Sequence, residues 1–290
     1  FVFKTNVLIV KDMQNRIFSV DFELETVSVN KKTLIIPQKD SDFEMCFERM
    51  SSILENTNTD PTFFILSSTA QKFPHIVKKI SEKYDIGTHS FNHTFVSTQS
   101  IKDFSKDLKQ SIDTIQQITG RKVNKYRSPD FSLSRYEYLE QPIENDIEID
   151  CSLTPIGHFS GQKTTNLQIP HRIHLKNGII KEFPITTFNF FGKNIGFTGG
   201  GYFRFFPYEI IKQVTKTSPY LMGYIHLGDI DLQKTKVKGL PPFVQFRRMV
   251  GIKSAEKKLR KWLSDFDFVS VEQANQEINW ENKKIISQNI

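Results

Sequence analysis

Apolar and polar positions alternate along this chain in two distinct rhythms. Short, mostly apolar runs recur at "RIFSVDF" (16–22), "PTFFIL" (61–66), "YDIGTH" (84–89), "DIEIDCS" (146–152), "IIKEFPIT" (179–186), "LMGYIHL" (221–227) and "FDFVSV" (266–271). Their length and their Val, Ile and Phe content predict strands, with "KYRSP" (125–129) as a further strand end. Between them apolar residues fall three and four apart. Phe43, Phe47, Met50 and Leu54 lie on one face of a helix over 43–54. Ile76, Val77, Ile80 and Tyr84 do the same over 74–84, where Pro74 opens the first turn. The longest periodic stretch, 100–120, starts at a Ser100 cap, ends at Gly120 and aligns Ile101, Phe104, Leu108, Ile112 and Ile115. Helices are also predicted near 208–217 and 254–264.

Strand–helix alternation implies a parallel sheet covered by helices, an α/β architecture. The polar residues that could do chemistry stand at predicted strand ends: Asp21, His89, Arg127, Asp150 and His226. In a parallel barrel the C-terminal ends of all strands share one face, and catalytic groups collect there. Residues 152–205, rich in Gly, Phe and Thr, read as an insertion or a group of loops near that face. No internal repeat or low-complexity segment divides the chain, so 1–290 is expected to form a single domain.

The totals narrow the function. A chain of 290 residues with 38% hydrophobic residues can bury a sizeable core. Its net charge of +7 is spread along the chain, with only "KKLRK" (257–261) dense. That pattern argues against nucleic-acid binding, which wants a concentrated basic face, and leaves room for weak attraction to an anionic polymer or membrane surface. No apolar run reaches transmembrane length. No signal peptide is visible, but the chain opens on Phe1 rather than Met, which leaves room for a removed upstream segment and keeps both a cytoplasmic and a cell-envelope setting open. Cys46 and Cys151 read as two ordinary thiols rather than a disulfide framework. Many of the 26 phenylalanines cluster in "TFNFFGKN" and "GYFRFFPY", where core packing is the first expectation and a sugar groove the second.

The segment "IGTHSFNHT" (86–94) places His89 and His93 four residues apart. On one face of a helical turn two such imidazoles can hold a divalent cation. Asp21 and Glu23 stand two apart at the end of an extended run, so both carboxylates can face one pocket. Two histidines and one carboxylate leave a coordination position open for water, the pattern of a catalytic rather than a structural zinc site. Gly199–Gly200–Gly201 lacks the following Lys-Ser/Thr of a phosphate loop and reads as a tight turn near the active face. His75, His158, His171 and His174 receive no role, and "HRIH" (171–174) is not read as a second metal site.

Taken in order, these motifs resemble the polysaccharide deacetylase family, carbohydrate esterase family 4. An acidic pair follows the first strand. Pro61-Thr62-Phe63-Phe64 is similar to the family's Ala-Thr-Phe-Phe strand, and His89-Ser90-Phe91-Asn92-His93 to its His-Ser/Thr-x-x-His metal motif. Arg127-Ser128-Pro129 is similar to its Arg-x-Pro motif, and Ile225-His226 to its late histidine motif. Segments 182–208 and 224–231 resemble an exopolysaccharide-associated subgroup, so the likeness covers about 16–272. The resemblance implies a distorted (β/α) barrel and a hydrolase removing N-acetyl groups from amino sugars of a glycan. It implies a divalent ion, zinc first, on Glu23, His89 and His93. It makes Asp21 the general base, Arg127 its holder and His226 the general acid. It places Pro129 and Asp130 at the substrate, with the Asp130 N–H as oxyanion donor, and Asp150 either orienting His226 or near the sugar. Ser90 would support the metal histidines. The family commonly has adjacent aspartates where this chain has Asp21-Phe22-Glu23, and often Tyr where Asp130 stands. An O-acetyl esterase would use the same residues, and a glycan-binding protein with a silenced site is the reading from another class.

Overall fold

The computed structural model describes residues 15–156 and 167–287. Its strands are β1 Asn15–Phe22, β2 Thr26–Val29, β3 Lys32–Ile35, β4 Thr62–Ile65, β5 Asp85–Thr88, β6 Lys125–Tyr126, β7 Ile149–Asp150, β8 His171–Leu175, β9 Gly178–Glu182, β10 Thr187–Phe190, β11 Lys193–Gly196, β12 Tyr220–His226 and β13 Ile285–Ser287. Nine of them form one sheet in the order β12-β1-β4-β5-β6-β7-β9-β8-β13. Every neighbouring pair is parallel except β8 with β9. The first strand explains why. Between Ile17 and Phe22 it is buried on both faces, as a central parallel strand must be.

The sheet curls back on itself. The Thr186 N–H donates to the Met222 carbonyl at 3.3 Å, and the Met222 N–H to Thr186 Oγ1 at 2.8 Å. The Tyr220 hydroxyl donates to the Pro184 carbonyl at 2.9 Å. The chain leaving β9 thus returns to β12 through single hydrogen bonds rather than a paired ladder, which is the distortion of this α/β barrel-like sheet.

The predicted helices form where the periodicity placed them, at Asp40–Glu55, Pro74–Lys83, Ile101–Thr119, Tyr208–Thr217 and Ile252–Asp265. Ser100 Oγ accepts the Asp103 N–H at 3.1 Å, and Gly120 ends that helix in the left-handed conformation at φ 69°. Phe104, Leu108, Ile112 and Ile115 are buried, but Ile101, in the first turn, is exposed. Phe18 and Phe268 pack edge-on to Trp262, which approaches β12 where Gly223 has no side chain to obstruct it. The segment 266–271 departs from the strand prediction. It makes only isolated bridges, Val269 with Ile17 and Phe268 with Thr59, at the N-terminal ends of β1 and β4.

Register decides where the chemistry lies. Asp21 stands opposite His226 across β1 and β12. Thr88 stands opposite Tyr126 across β5 and β6, so His89 and Arg127 follow side by side. Four strands therefore deliver Asp21, His89, Arg127 and His226 to the same C-terminal face.

Candidate metal centre and active site

Beyond β5 the chain does not form the helical turn that the four-residue histidine spacing suggests. It is a bent loop in which Ser90 and His93 adopt left-handed backbone, at φ 68° and 54°. The bend does what a helix would have done and brings the two imidazoles face to edge, with ring centroids 5.3 Å apart. Glu23 leaves the end of β1 pointing at both. Its Oε2 lies 3.4 Å from His89 Nε2 and 2.8 Å from His93 Nε2. All three residues are buried, and they are the one group of metal-competent side chains among the described residues.

These donors fit a divalent ion. Ligand atoms at zinc distances in a tetrahedron lie about 3.3 Å from one another, close to the spacing seen here. Glu23 Oε2 is buried yet accepts no well-aligned hydrogen bond, despite its approach to His93. His89 Nδ1 lies 2.9 Å from the Arg127 carbonyl, which can only accept. That contact puts the proton on Nδ1 and leaves the Nε2 lone pair aimed at the cluster, the outer arrangement typical of metal-binding histidine. His93 is held from above by the β2–β3 hairpin, where Thr33 Oγ1 donates to the His93 carbonyl at 2.8 Å. Without an ion, burial alone would lower the His93 pKa, but the Glu23 charge and contact push it up to about 9. Burial likewise would raise Glu23, and the charge on His93 with the contacts to both rings holds it well below the usual carboxylate range.

Two further groups face the cluster. Asp21 Oδ1 accepts from Arg127 Nη1 at 2.7 Å, and the same nitrogen donates to Ser19 Oγ at 2.9 Å. Arg127 is fully buried, its guanidinium 4.1 Å from the centroid of the Phe64 ring. Asp21 Oδ2, the oxygen Arg127 does not engage, lies 3.8 Å from His226 Nε2. His226 Nε2 is also 3.8 Å from Glu23 Oε1. On its other side Nδ1 meets Asp229 Oδ2 at 3.4 Å, and the His226 backbone N–H donates to the same oxygen at 2.9 Å. Burial would lower the His226 pKa, but the hydrogen bond and charge of Asp229, then Glu23 and Asp21, raise it to about 9. Asp229 is itself held at about 2. Burial works against this, and the charge of Arg204, 3.0 Å away, and the His226 contact outweigh it.

The cleft over these residues is lined by Asp21, Glu23, His89, His93, Asp130 and His226, and beyond them by Gly199–Gly200–Gly201 and Arg247. The glycines are a turn into the short helix Gly200–Phe205. Gly199, at φ 74°, passes so close to Tyr224 that a Cβ would sit 2.0 Å from its ring. Asp130 also has left-handed backbone, at φ 52°, and its carboxylate accepts from Ser28 of the hairpin at 2.5 Å. Pro129 is buried and does not line the cleft, and Phe131 lines it instead.

Asp150 is not the partner of His226. It is fully buried, stands opposite Glu182 across β7 and β9, and accepts from Ser152 Oγ at 2.6 Å. The carboxylate at His226 is Asp229, three residues on, in the tight turn Leu227–Ile230. The sequence signal was the "HLGD" pattern, an acid where it can reach back to the preceding N–H. His171 is buried with Nδ1 against the Ile169 carbonyl, and His174 is exposed on the same strand. His158 lies outside the described residues. Cys46 and Cys151 are buried free thiols.

Residues 28–138 match the family model for polysaccharide deacetylase, and residues 151–276 match that of a domain of unknown function, DUF3473. A peptidoglycan-N-acetylmuramic acid deacetylase of Bacillus subtilis, PdaC, is 24% identical over 130 residues, 44% of this chain and 27% of that protein. A peptidoglycan-N-acetylglucosamine deacetylase of Bacillus cereus is 29% identical over 77 residues, 26% of this chain and 28% of that protein. The chain thus spans little more than a quarter of the length of either relative. The crystal structure of a candidate polysaccharide deacetylase from Mycobacterium smegmatis superposes with a TM-score of 0.60 at 13% identity, covering 86% of this chain and 84% of that one, and shows the same fold. Residues 28–138 thus match the polysaccharide deacetylase model, and the described residues share the fold of the Mycobacterium smegmatis structure.

Proposed function

We propose that the protein is a metal-dependent hydrolase that removes N-acetyl groups from amino sugars of a polysaccharide. One observation carries this reading. The Glu23–His89–His93 cluster, Asp21 and His226 converge at one end of the sheet, with His226 Nε2 3.8 Å from both carboxylates. Three of them have a partner that fixes the side chain: Arg127 for Asp21, the Arg127 carbonyl for His89 and Asp229 for His226. A silenced binding protein would need none of these supports.

A divalent ion on Glu23, His89 and His93, zinc first among the candidates, supplies Lewis acidity and a water of lowered pKa. Asp21 Oδ2, free of Arg127, takes the proton from the attacking water. The backbone N–H of Asp130 faces the developing oxyanion. His226, kept protonated by Asp229, delivers a proton to the leaving nitrogen. The C–N bond breaks, and the products are acetate and a free amino sugar. One catalytic domain over 1–290 is part of the proposal, supported by a single sheet that runs from β1 to β13.

The polymer is the finer part. The names of the matched relatives favour a peptidoglycan-type glycan, while the likeness of 182–208 and 224–231 favours an exopolysaccharide. Incubation with each, with acetate and new free amine measured together, tests the proposal. Asp21→Asn should lose both products while retaining its metal. Equal acetate from wild type and Asp21→Asn would refute the assignment.

A further inference from the structure

Five phenylalanines are exposed among the described residues: Phe190, Phe191, Phe205, Phe243 and Phe246, at 42%, 91%, 56%, 72% and 52%. They are not scattered. Phe190 and Phe191 sit at the tip of the β10–β11 hairpin, with ring centroids 4.6 Å apart. Phe190 reaches Phe206 at 6.4 Å, Phe206 reaches Phe205 at 5.4 Å, and Phe205 reaches Phe246 at 6.4 Å. Phe243 lies one turn before Phe246 in the helix Pro242–Met249. Single exposed apolar side chains need no explanation, but a connected row of them does.

The two segments that carry the row are one-sided in charge. Residues 183–206 and 232–255, which carry the row, contain eight Lys and Arg and no Asp or Glu, more positive charge than the net +7 of the whole chain. Three of these cations are turned inward: Arg204 to Asp229, and Lys234 and Arg248 to Glu25. The other five, Lys193, Lys236, Lys238, Arg247 and Lys253, form no ion pair with a described residue. The whole ridge falls inside the segment that matches the domain of unknown function.

We propose that this ridge docks the protein on the surface of an anionic lipid bilayer. The phenylalanine rings enter the acyl boundary, and the unpaired lysines and arginine meet the headgroups. A bilayer fits better than a glycan because no exposed ring is Tyr or Trp. Phenylalanine has no polar edge for sugar hydroxyls and gains most from a purely apolar environment. Val244 and Arg247, between and beside the ridge phenylalanines, also line the metal-site cleft. Docking therefore holds the mouth of the cleft against the membrane, whatever reaction the cleft performs.

The test is co-flotation of the purified full chain with vesicles of phosphatidylcholine, with and without phosphatidylglycerol. Binding is expected on the anionic vesicles and much less on phosphatidylcholine alone. Phe191→Ser and Phe246→Ser should each lower the partition coefficient by on the order of tenfold or more, the value of burying a ring. Lys236→Gln and Lys238→Gln should each lower it about fivefold at low salt. All four side chains are exposed, and an unchanged unfolding midpoint in each variant checks that the fold is intact. Absence of wild-type protein from the anionic vesicles would overturn the proposal, as would equal flotation of the Phe variants. Phe-dependent retention on an anionic polysaccharide without vesicle binding would assign the ridge to a glycan. Phe-dependent self-association without vesicle binding would assign it to a second copy of the chain. Either result overturns bilayer docking.

Discussion

Asp229→Asn isolates the contribution of one carboxylate to the acid step. Asp229 exerts the largest upward influence on His226, whose pKa stands at about 9. Asparagine keeps the shape and can still accept the His226 N–H, but it removes the charge. Burial then works against the imidazolium with only Glu23 and Asp21 left to oppose it, and the His226 pKa falls from about 9. A raised histidine pKa means the protonated form is populated below it and lost as pH rises through it, so the descending limb of the rate profile should move to lower pH. Above the lowered pKa, each pH unit costs about tenfold in protonated fraction, so the loss of rate is expected on the alkaline side of the profile and is smallest at acid pH. The assay is acetate release against pH for both proteins. Imidazole titration of His226 by NMR supplies a second readout that does not need activity. Arg204 loses its ion pair in the variant but keeps hydrogen bonds to the Arg247 and Arg248 carbonyls, so the fold should survive. A uniform loss across the pH range, or an unmoved limb, would show that Asp229 is structural and that the coupling reasoning is wrong.

Asp21→Asn should reduce turnover on the order of 10²–10⁴-fold with metal content unchanged, measured by acetate release and elemental analysis. His93→Ala should lose stoichiometric metal, because two donors hold an ion far less well than three, and inductively coupled plasma measurement checks it. Gly199→Ala should destabilise the fold by about 2 kcal/mol or more in chemical denaturation, since its Cβ would collide with Tyr224 in a left-handed backbone. A wild-type midpoint in that variant would mean that the Gly199–Tyr224 approach is looser than described.

The site was legible where its residues are close in sequence or sit on strand ends. Asp21 and Glu23 share a strand end, His89 and His93 share a loop, and parallel order carries Arg127 and His226 to the same face. The loop's shape was not legible. A four-residue histidine spacing suits a helix, and nothing local announces that Ser90 and His93 take left-handed backbone. Asp150 misled because a strand-end acid in the right order looks like a site residue, whereas the ladder turns it toward Glu182 and Ser152. Asp229 was overlooked because its role depends on the tight turn after β12. The β2–β3 hairpin over His93 comes from Asn30 and Lys31, both at positive φ, a two-residue turn without the usual glycine. The phenylalanine runs were expected mainly in the core. Periodicity could not show which of them the hairpin and the short helix would leave in solvent.

In the proposed reaction Glu23, His89 and His93 hold an ion that works with Asp21 and His226. The most direct test strips the protein with a chelator and titrates zinc back while acetate and new free amine are measured on an N-acetylated glycan. The expected result is equal release of both, rising linearly to about one equivalent of metal and then level, with no such rise in His93→Ala. Protein that binds one equivalent of metal and retains its glycan, yet releases no acetate, would show that the cluster does not catalyse deacetylation.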